Sequence, residues 1–207
     1  MKNKIIKEVT NYYTKKIKEF GSSPKGVDWN SNYSQEHRFA QLCKVINNNQ
    51  GSFSILDYGC GYGQLYNYLN QFFESYDYYG YDISNEMIKK AKVYLNDKIG
   101  SFHFSTEKPA EPKDYVIASG IFNVKLNQSA ERGYEYRSHI IEKINEYNTK
   151  GFSFNMLTKY SDKNYIKDYL HYADPLFWFD YCKQNFSRNV ALLHDYDLYE
   201  FTIIVRK

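Results

Sequence analysis

The sequence has few cysteines and little net charge. Its 207 residues include only 3 Cys, widely separated and without the paired spacing of a zinc site, so we predict neither a disulfide framework nor a metal cluster. The 27 Lys and Arg residues nearly balance 24 Asp and Glu residues, which leaves a formal net charge of +3. The densest basic stretch, residues 2–18, also carries apolar residues at helical spacing and is interpreted as a solvated helix face. This balance does not favour a nucleic-acid partner.

Long apolar runs are also missing. No run approaches the roughly 18 residues of a membrane-spanning helix, and the first residues lack the apolar segment and cleavage site of a signal peptide. We therefore expect a cytoplasmic protein without membrane insertion. At 207 residues the chain is long enough for one α/β domain with its own core, and 19% of its residues are aromatic. Aromatic rings must fill much of the core, and the sequence leaves open whether some of them also bind a ligand.

Short apolar runs alternate with helical patterns from residue 53 onward, which is typical of βαβ units and a parallel sheet. The pattern predicts an α/β fold with a doubly wound, mostly parallel seven-stranded sheet and an antiparallel hairpin at its edge. The pattern of residues 1–50 predicts an N-terminal helical lid over a core of residues 51–207. Ser34 is the predicted N-cap of the second helix of this lid. An irregular insertion occupies about 158–185. The predicted strands are 53–57, 78–82, 102–104, 114–119, 151–157, 190–193 and 201–205.

A glycine-rich loop follows the first predicted strand and opens a helix. Gly59, Gly61 and Gly63 leave room for a ligand to approach backbone N–H groups. The dinucleotide fingerprint G-x-G-x-x-G is not met, because its third glycine would fall on Gln64 or Tyr66. An ordinary tight turn is the alternative, and it explains the glycines but not the acidic residues at the ends of two neighbouring strands.

The sequence of this loop, D-x-G-x-G-x-G from Asp57 to Gly63, resembles the first motif of the class I S-adenosylmethionine (SAM) dependent methyltransferases. In that family the loop wraps the methionine part of the cofactor, and the counterpart of Asp82 accepts hydrogen bonds from the ribose hydroxyls. The resemblance implies a Rossmann-like methyltransferase fold with SAM as cofactor and S-adenosylhomocysteine (SAH) as product. The cofactor-binding residues that it implies are Asp57, Gly59, Gly61, Gly63, Asp82, Ile83, Ser119 and Gly120.

The end of the fourth predicted strand constrains the acceptor of the methyl group. In the family, enzymes that methylate the amino group of adenine usually carry D-P-P-Y at this strand end, and enzymes that methylate cytosine C5 carry Pro-Cys. This chain has Ser119-Gly120-Ile121 instead, so we do not expect a nucleic-acid base as the acceptor.

The segments 151–155, 173–175, 194–196 and 198–202 resemble small bacterial methyltransferases associated with surface-polysaccharide gene clusters. This resemblance implies O-methylation of a small polar acceptor for capsule or lipopolysaccharide biosynthesis, such as a nucleotide-linked sugar or a phosphoramidate or phosphate group. N-methylation of a small molecule and a SAM-binding module without catalysis remain alternatives.

Further site residues are predicted from residue type and position. His171 and His194 are candidate general bases, with a half-buried helix residue and a turn residue as the respective alternatives. Trp29 and Arg38 are expected to close over the cofactor, with Arg38 pairing the methionine carboxylate unless it is an exposed helix charge. The candidate acceptor-binding residues are the aromatics Tyr33, Phe122, Tyr160 and Trp178, for which a core role is the alternative.

Overall fold

A computed structural model describes residues 2–29, 31–47, 51–98, 100–125 and 129–207. Its seven strands are β1 Phe53–Tyr58, β2 Tyr76–Tyr81, β3 Ser101–Ser105, β4 Lys113–Ala118, β5 Asn148–Leu157, β6 Asn189–Leu193 and β7 Glu200–Arg206. The six α-helices are α1 Lys2–Phe20, α2 Asn32–Leu42, α3 Gln64–Leu69, α4 Asn85–Tyr94, α5 Ala130–Glu146 and α6 Pro175–Asn185. Short 3-10 turns lie at Pro24–Val27, Cys43–Val45 and Lys163–Tyr165.

The strands form one sheet in the order β3-β2-β1-β4-β5-β7-β6. Strands β1 to β5 pair in parallel, whereas β7 runs antiparallel to both β5 and β6. The predicted seven-stranded, mostly parallel sheet with an antiparallel edge pair is therefore confirmed. Helices α2, α3 and α4 cover one face of the sheet, and α5 and α6 cover the other. Because the centres of β1 and β4 are buried on both faces, they carry the apolar runs Ile55-Leu56 and Tyr115-Val116-Ile117-Ala118.

Serine side chains cap the helices α2 and α4. Ser84 caps α4, since its hydroxyl accepts a hydrogen bond from the Met87 N–H. The prediction of Ser34 as the cap of α2 is wrong. Ser31 takes that place in an extended conformation and accepts from the Ser34 N–H at 3.1 Å. Both serines precede the same apolar pattern, and the sequence does not show which of them has the extended backbone.

Helix α1 joins the ends of two strands. The Tyr13 hydroxyl donates to the Gly120 carbonyl after β4 at 3.4 Å, and the hydroxyls of Thr14 and Ser84 lie 2.8 Å apart beyond β2. The predicted boundary between the lid and the core falls at residues 48–50, which lie outside the described residues. None of the helices among the described residues has the length and apolar character needed to span a membrane.

A buried ion pair fastens α2 to β7. Arg38 Nε donates to Glu200 Oε2 at 2.6 Å, and the two side chains are 7% and 0% exposed. A second guanidinium nitrogen, Nη1, donates to the Ser34 carbonyl at 2.9 Å. The guanidinium carbon also lies 3.7 Å from the centre of the Trp29 ring. Burial raises the pKa of Glu200, and the positive charge of Arg38 acts against this rise.

Removing one partner of this pair leaves a charge in the core. We expect Arg38→Met to lower the free energy of unfolding by about 3 kcal/mol, because Glu200 stays buried without its cation. Urea denaturation followed by circular dichroism measures the change. The matched control is Lys159→Met, which breaks an exposed pair with Asp174 (2.7 Å) and should leave stability unchanged. Equal stability of Arg38→Met and the wild type would contradict the expectation.

Candidate active site

A cavity of about 540 Å³ lies at the carboxyl ends of β1, β2 and β4. Open α/β sheets bind their ligands at this edge, and the volume suits a small molecule. Residues 57–62 after β1, Asp82 and Ile83 after β2, and residues 119–121 after β4 form its base. Helices α1 and α5 supply the side walls.

The glycine loop is closely packed against the end of β4. Gly59 has φ +86°, and a Cβ atom there would lie 2.3 Å from Ile121 Cγ2. Any other residue at this position would be both strained and sterically blocked. The loop is also tied to β2, since the N–H groups of Gly59 and Cys60 donate to the Tyr81 carbonyl at 2.7 and 2.9 Å. Its path is therefore set by two neighbouring strands.

Asp82 holds the next part of the loop. Its buried carboxylate accepts hydrogen bonds from the N–H groups of Gly61 at 3.0 Å and Ser84 at 2.8 Å. Each carboxylate oxygen has lone pairs for more than one hydrogen bond, so acceptor capacity remains for ligand hydroxyls. Burial raises the pKa of Asp82 to about 6, and the two backbone hydrogen bonds act against this rise. At pH 7 the group is mainly a charged acceptor.

Asp57 lies beneath the loop at the end of β1. Its carboxylate is buried and accepts a hydrogen bond from the Tyr78 hydroxyl at 2.5 Å. Burial raises its pKa to about 7; the Tyr78 hydrogen bond lowers it and the charge of Asp82 raises it further. The group is therefore half-ionised near neutral pH.

The end of β4 carries an unused polar group. Ser119 Oγ is buried and has no hydrogen-bond partner in the part of the chain that the structure describes. The next residue, Gly120, donates its N–H to Asn155 Oδ1 at 2.8 Å. Gly120 has φ +73°, and a Cβ there would lie 2.3 Å from Trp29 Cζ2. Trp29 thus covers this strand end and lines the cavity. Arg38, stacked on Trp29, is paired with Glu200 and is not part of the cavity wall.

The structure does not bring the candidate bases into the cavity wall. His194 is exposed, and its ring lies 6.0 Å from that of Tyr160. His171 is half-buried, with its backbone N–H bonded to the Asn123 carbonyl at 2.8 Å. Burial, followed by the charges of Arg137 and Lys125, lowers the pKa of His171 to about 4.

The four aromatic candidates also lie away from this cavity. Tyr33 and Tyr160 are 64% and 58% exposed. Phe122 and Trp178 are buried in the core between the sheet and the helices α5 and α6, which is the core role left open by the sequence.

Sequence reasoning missed the cavity-facing side of α5. The 3.6-residue period, applied to the polar residues of this helix, indicates a polar face beside the apolar one. The histidine on that face, His139, has its Nδ1 atom 3.8 Å from Glu142 Oε2. The cavity-lining residues of α5 are Arg132, Glu135, Tyr136, His139, Ile140 and Lys143.

Comparison with known proteins identifies the family. A family model described as a methyltransferase domain matches residues 32–131. The protein Rv1506c of Mycobacterium tuberculosis (strain H37Rv), named as a methyltransferase, is 44% identical over 155 residues, which are 75% of this chain and 93% of that protein. The chain belongs to the methyltransferase family.

Solved methyltransferase structures share the fold. The magnesium protoporphyrin IX methyltransferase ChlM of Synechocystis PCC 6803, crystallised with SAH, matches with a TM-score of 0.65 at 14% identity, covering 100% of this chain and 99% of that one. The DhpI–SAH complex matches with a TM-score of 0.61 at 12% identity, covering 96% and 95%. The prediction of a class I SAM-dependent methyltransferase is thus confirmed for family and fold.

Asp57 should make the stability of this methyltransferase depend on pH. An unfolded Asp has a pKa of about 3.9, so between pH 4 and pH 7 the unfolded chain loses this proton before the folded one, and stability falls as pH rises. In Asp57→Asn the amide oxygen still accepts from Tyr78, and this contribution disappears. We expect its free energy of unfolding to fall less from pH 5 to pH 8, as measured by urea denaturation.

The control for this measurement is Asp77→Asn, at an exposed position of β2. It should keep the wild-type pH profile. A profile of Asp57→Asn that coincides with the wild type would show that Asp57 ionises alike in the folded and unfolded states.

Proposed function

We propose that this methyltransferase transfers the methyl group of SAM to an oxygen atom of a small polar acceptor. The preferred acceptor is a nucleotide-linked sugar, or a phosphoramidate or phosphate group of a surface-glycan precursor. The observation that carries the proposal is that one cavity joins the glycine loop and Asp82 to the polar face of α5. The choice of a glycan precursor is supported by the resemblance of segments 151–155, 173–175, 194–196 and 198–202 to the polysaccharide-associated methyltransferases.

The residues at the base of the cavity fit SAM. Asp82 offers a charged acceptor for the two ribose hydroxyls, and the apolar side chain of Ile83 offers a surface for the adenine ring. The unpartnered hydroxyl of Ser119 and the glycine loop would hold the methionine part. The Trp29 ring would attract a sulfonium by cation–π interaction. When bound, SAM supplies a methyl group whose S–C bond breaks toward sulfur as the acceptor oxygen forms its bond to carbon.

The polar face of α5 would serve the acceptor. A neutral hydroxyl must lose its proton on methylation, and His139 is the histidine in the cavity wall. The Glu142 carboxylate, 3.8 Å from Nδ1, would stabilise the imidazolium that forms. A phosphate oxygen is already anionic and needs no base. His171, with its pKa lowered to about 4, is a weak proton acceptor, and neither His171 nor His194 lines the cavity.

Removal of the Asp82 carboxylate tests the placement of the ribose. Asp82→Ala should weaken SAH binding by about 10- to 100-fold, because hydrogen bonds to a charged group contribute about 1.5–3 kcal/mol. Isothermal titration calorimetry measures the affinity. Asp77→Ala, at an exposed position of β2, the strand that precedes Asp82, should bind SAH like the wild type. Unchanged affinity in Asp82→Ala would reject this placement.

A panel of acceptors tests the reaction. The protein is incubated with SAM and separate sets of nucleotide-linked sugars, phosphorylated glycan precursors, and amines, and products are scanned by mass spectrometry for an added methyl group. We expect methylation of oxygen in the first two sets. A product found only among the amines would overturn O-transfer in favour of N-transfer.

His139→Gln extends the same experiment. It should slow methylation of neutral hydroxyl acceptors by about 100-fold and leave methylation of phosphate oxygens nearly unchanged, because only the hydroxyl needs a base. His194→Gln, outside the cavity wall, is the matched control and should keep the wild-type rate. An equal rate in His139→Gln and the wild type with a hydroxyl acceptor would remove His139 from the mechanism.

A further inference from the structure

Arg137 is a buried cation without an acidic partner. Its side chain lies on α5, the residue is 5% exposed, and Nε donates to the Phe122 carbonyl at 3.3 Å. In the described part of the chain no carboxylate oxygen lies within 4.0 Å of its guanidinium, in contrast to Arg38 and Glu200. Burial lowers the pKa of Arg137 to about 10. A largely buried guanidinium without a carboxylate partner among the described residues is costly, and a bound anion would offset this cost.

Two further basic side chains lie beside Arg137. The segments that carry Lys125 and His171 run side by side, since the Lys125 N–H donates to the Tyr169 carbonyl and the His171 N–H to the Asn123 carbonyl, both at 2.8 Å. The charges of Arg137 and Lys125 lower the pKa of His171 beyond the effect of burial. Among the described residues, no carboxylate raises the pKa of His171 against these charges. Arg137 and Lys125 therefore create a positive potential at the neutral ring of His171.

This cluster borders the proposed acceptor side of the cavity. Phe122, whose carbonyl holds Arg137, follows closely on Gly120 at the end of β4. Tyr136, the residue before Arg137, lines the cavity; burial raises the pKa of its hydroxyl group, and the charge of Arg137 acts against this rise. Arg137 itself does not line the cavity, so the oxyanion site would adjoin the cavity wall at Tyr136.

Gly133 makes room for the guanidinium. A Cβ atom at this position of α5 would lie 2.8 Å from Arg137 Nη1. Glycine inside a helix costs about 1 kcal/mol relative to alanine. Helix α5 thus carries a glycine, which is a weak helix former, at the position where a larger residue would displace the Arg137 guanidinium.

We propose that Arg137, His171 and Lys125 bind an oxyanion group, phosphate or carboxylate, of the acceptor. This inference rests on the proposed function and names the class of its substrate. The guanidinium of Arg137 offers parallel N–H donors that match two oxygens of such a group. A bound anion also removes the penalty on protonating His171, so this imidazole gains a proton and a second charged hydrogen bond when the anion arrives.

The protonation of His171 reports binding. Its imidazole signal is followed by NMR from pH 5 to pH 8 at constant ionic strength, without anion, with inorganic phosphate, or with acetate, and is assigned with His171→Gln. In the free protein the ring should stay neutral over most of this range. Phosphate should raise the pKa of His171 by about one unit or more, so that titration begins within the range. A larger shift with acetate than with phosphate would assign the site to a carboxylate.

Variants test separately whether the charge and the position of the Arg137 guanidinium are needed for the shift. Arg137→Gln should abolish the phosphate-dependent shift, and Arg188→Gln, an exposed arginine, should keep it. Gly133→Ala retains every charge, strengthens the helix and displaces the guanidinium, so it should also reduce the shift.

Calorimetry with SAH distinguishes this site from the proposed function. Wild type, Arg137→Gln and Gly133→Ala should bind SAH equally. Failure of the wild type to bind SAH would count against the proposed function. Normal SAH binding with no phosphate effect on His171, or with the same effect in Arg137→Gln, would overturn the oxyanion site.

Discussion

Two oxygens of one buried carboxylate organise the base of the cavity. Asp82 accepts from the Gly61 N–H and the Ser84 N–H, so the loop after β1 and the first turn of α4 depend on the same group. Burying this carboxylate raises its pKa, and the two backbone donors reduce the cost of keeping it charged. A ligand hydroxyl that reaches Asp82 finds an acceptor whose position is already fixed. Such preorganisation reduces the entropy lost on binding.

A second set of buried polar contacts supports the end of β4. Asn155 Oδ1 accepts from the Gly120 N–H, and the Asn155 amide lies beside the Glu200 carboxylate, whose pKa it lowers. Glu200 pairs with Arg38, and Arg38 stacks on Trp29, which covers Gly120. Gly120 is thus held by Asn155 through its N–H and covered by Trp29, whose ring is in turn stacked on the paired Arg38. Buried polar contacts of this kind stiffen a site.

The sequence predicted the sheet and the base of the cavity because both depend on local patterns. Runs of apolar residues indicate central strands, and the loop with Asp82 is a short motif whose residues come together at adjacent strand ends. The partner of Arg38 was not predictable, since Glu200 is 162 positions away and an Arg on a helix is usually solvated. The polar face of α5 was missed because the apolar residues beside it gave the stronger periodic signal. The setting of His171 depends on Lys125 and Arg137, which only the folded chain brings close.

The antiparallel insertion of β7 between β5 and β6 affects the order of folding. During synthesis α2 is complete long before β7. Trp29 and Arg38 therefore emerge from the ribosome before Glu200, the carboxylate that pairs with Arg38, has been made. Contacts between segments so distant along the chain form late, because the loop between them must be closed first. Until β7 enters the sheet, the cover over Gly120 lacks its support. In a nascent chain the Trp29 ring would therefore not yet be fixed at this end of the cavity, and it becomes fixed only when the sheet is complete.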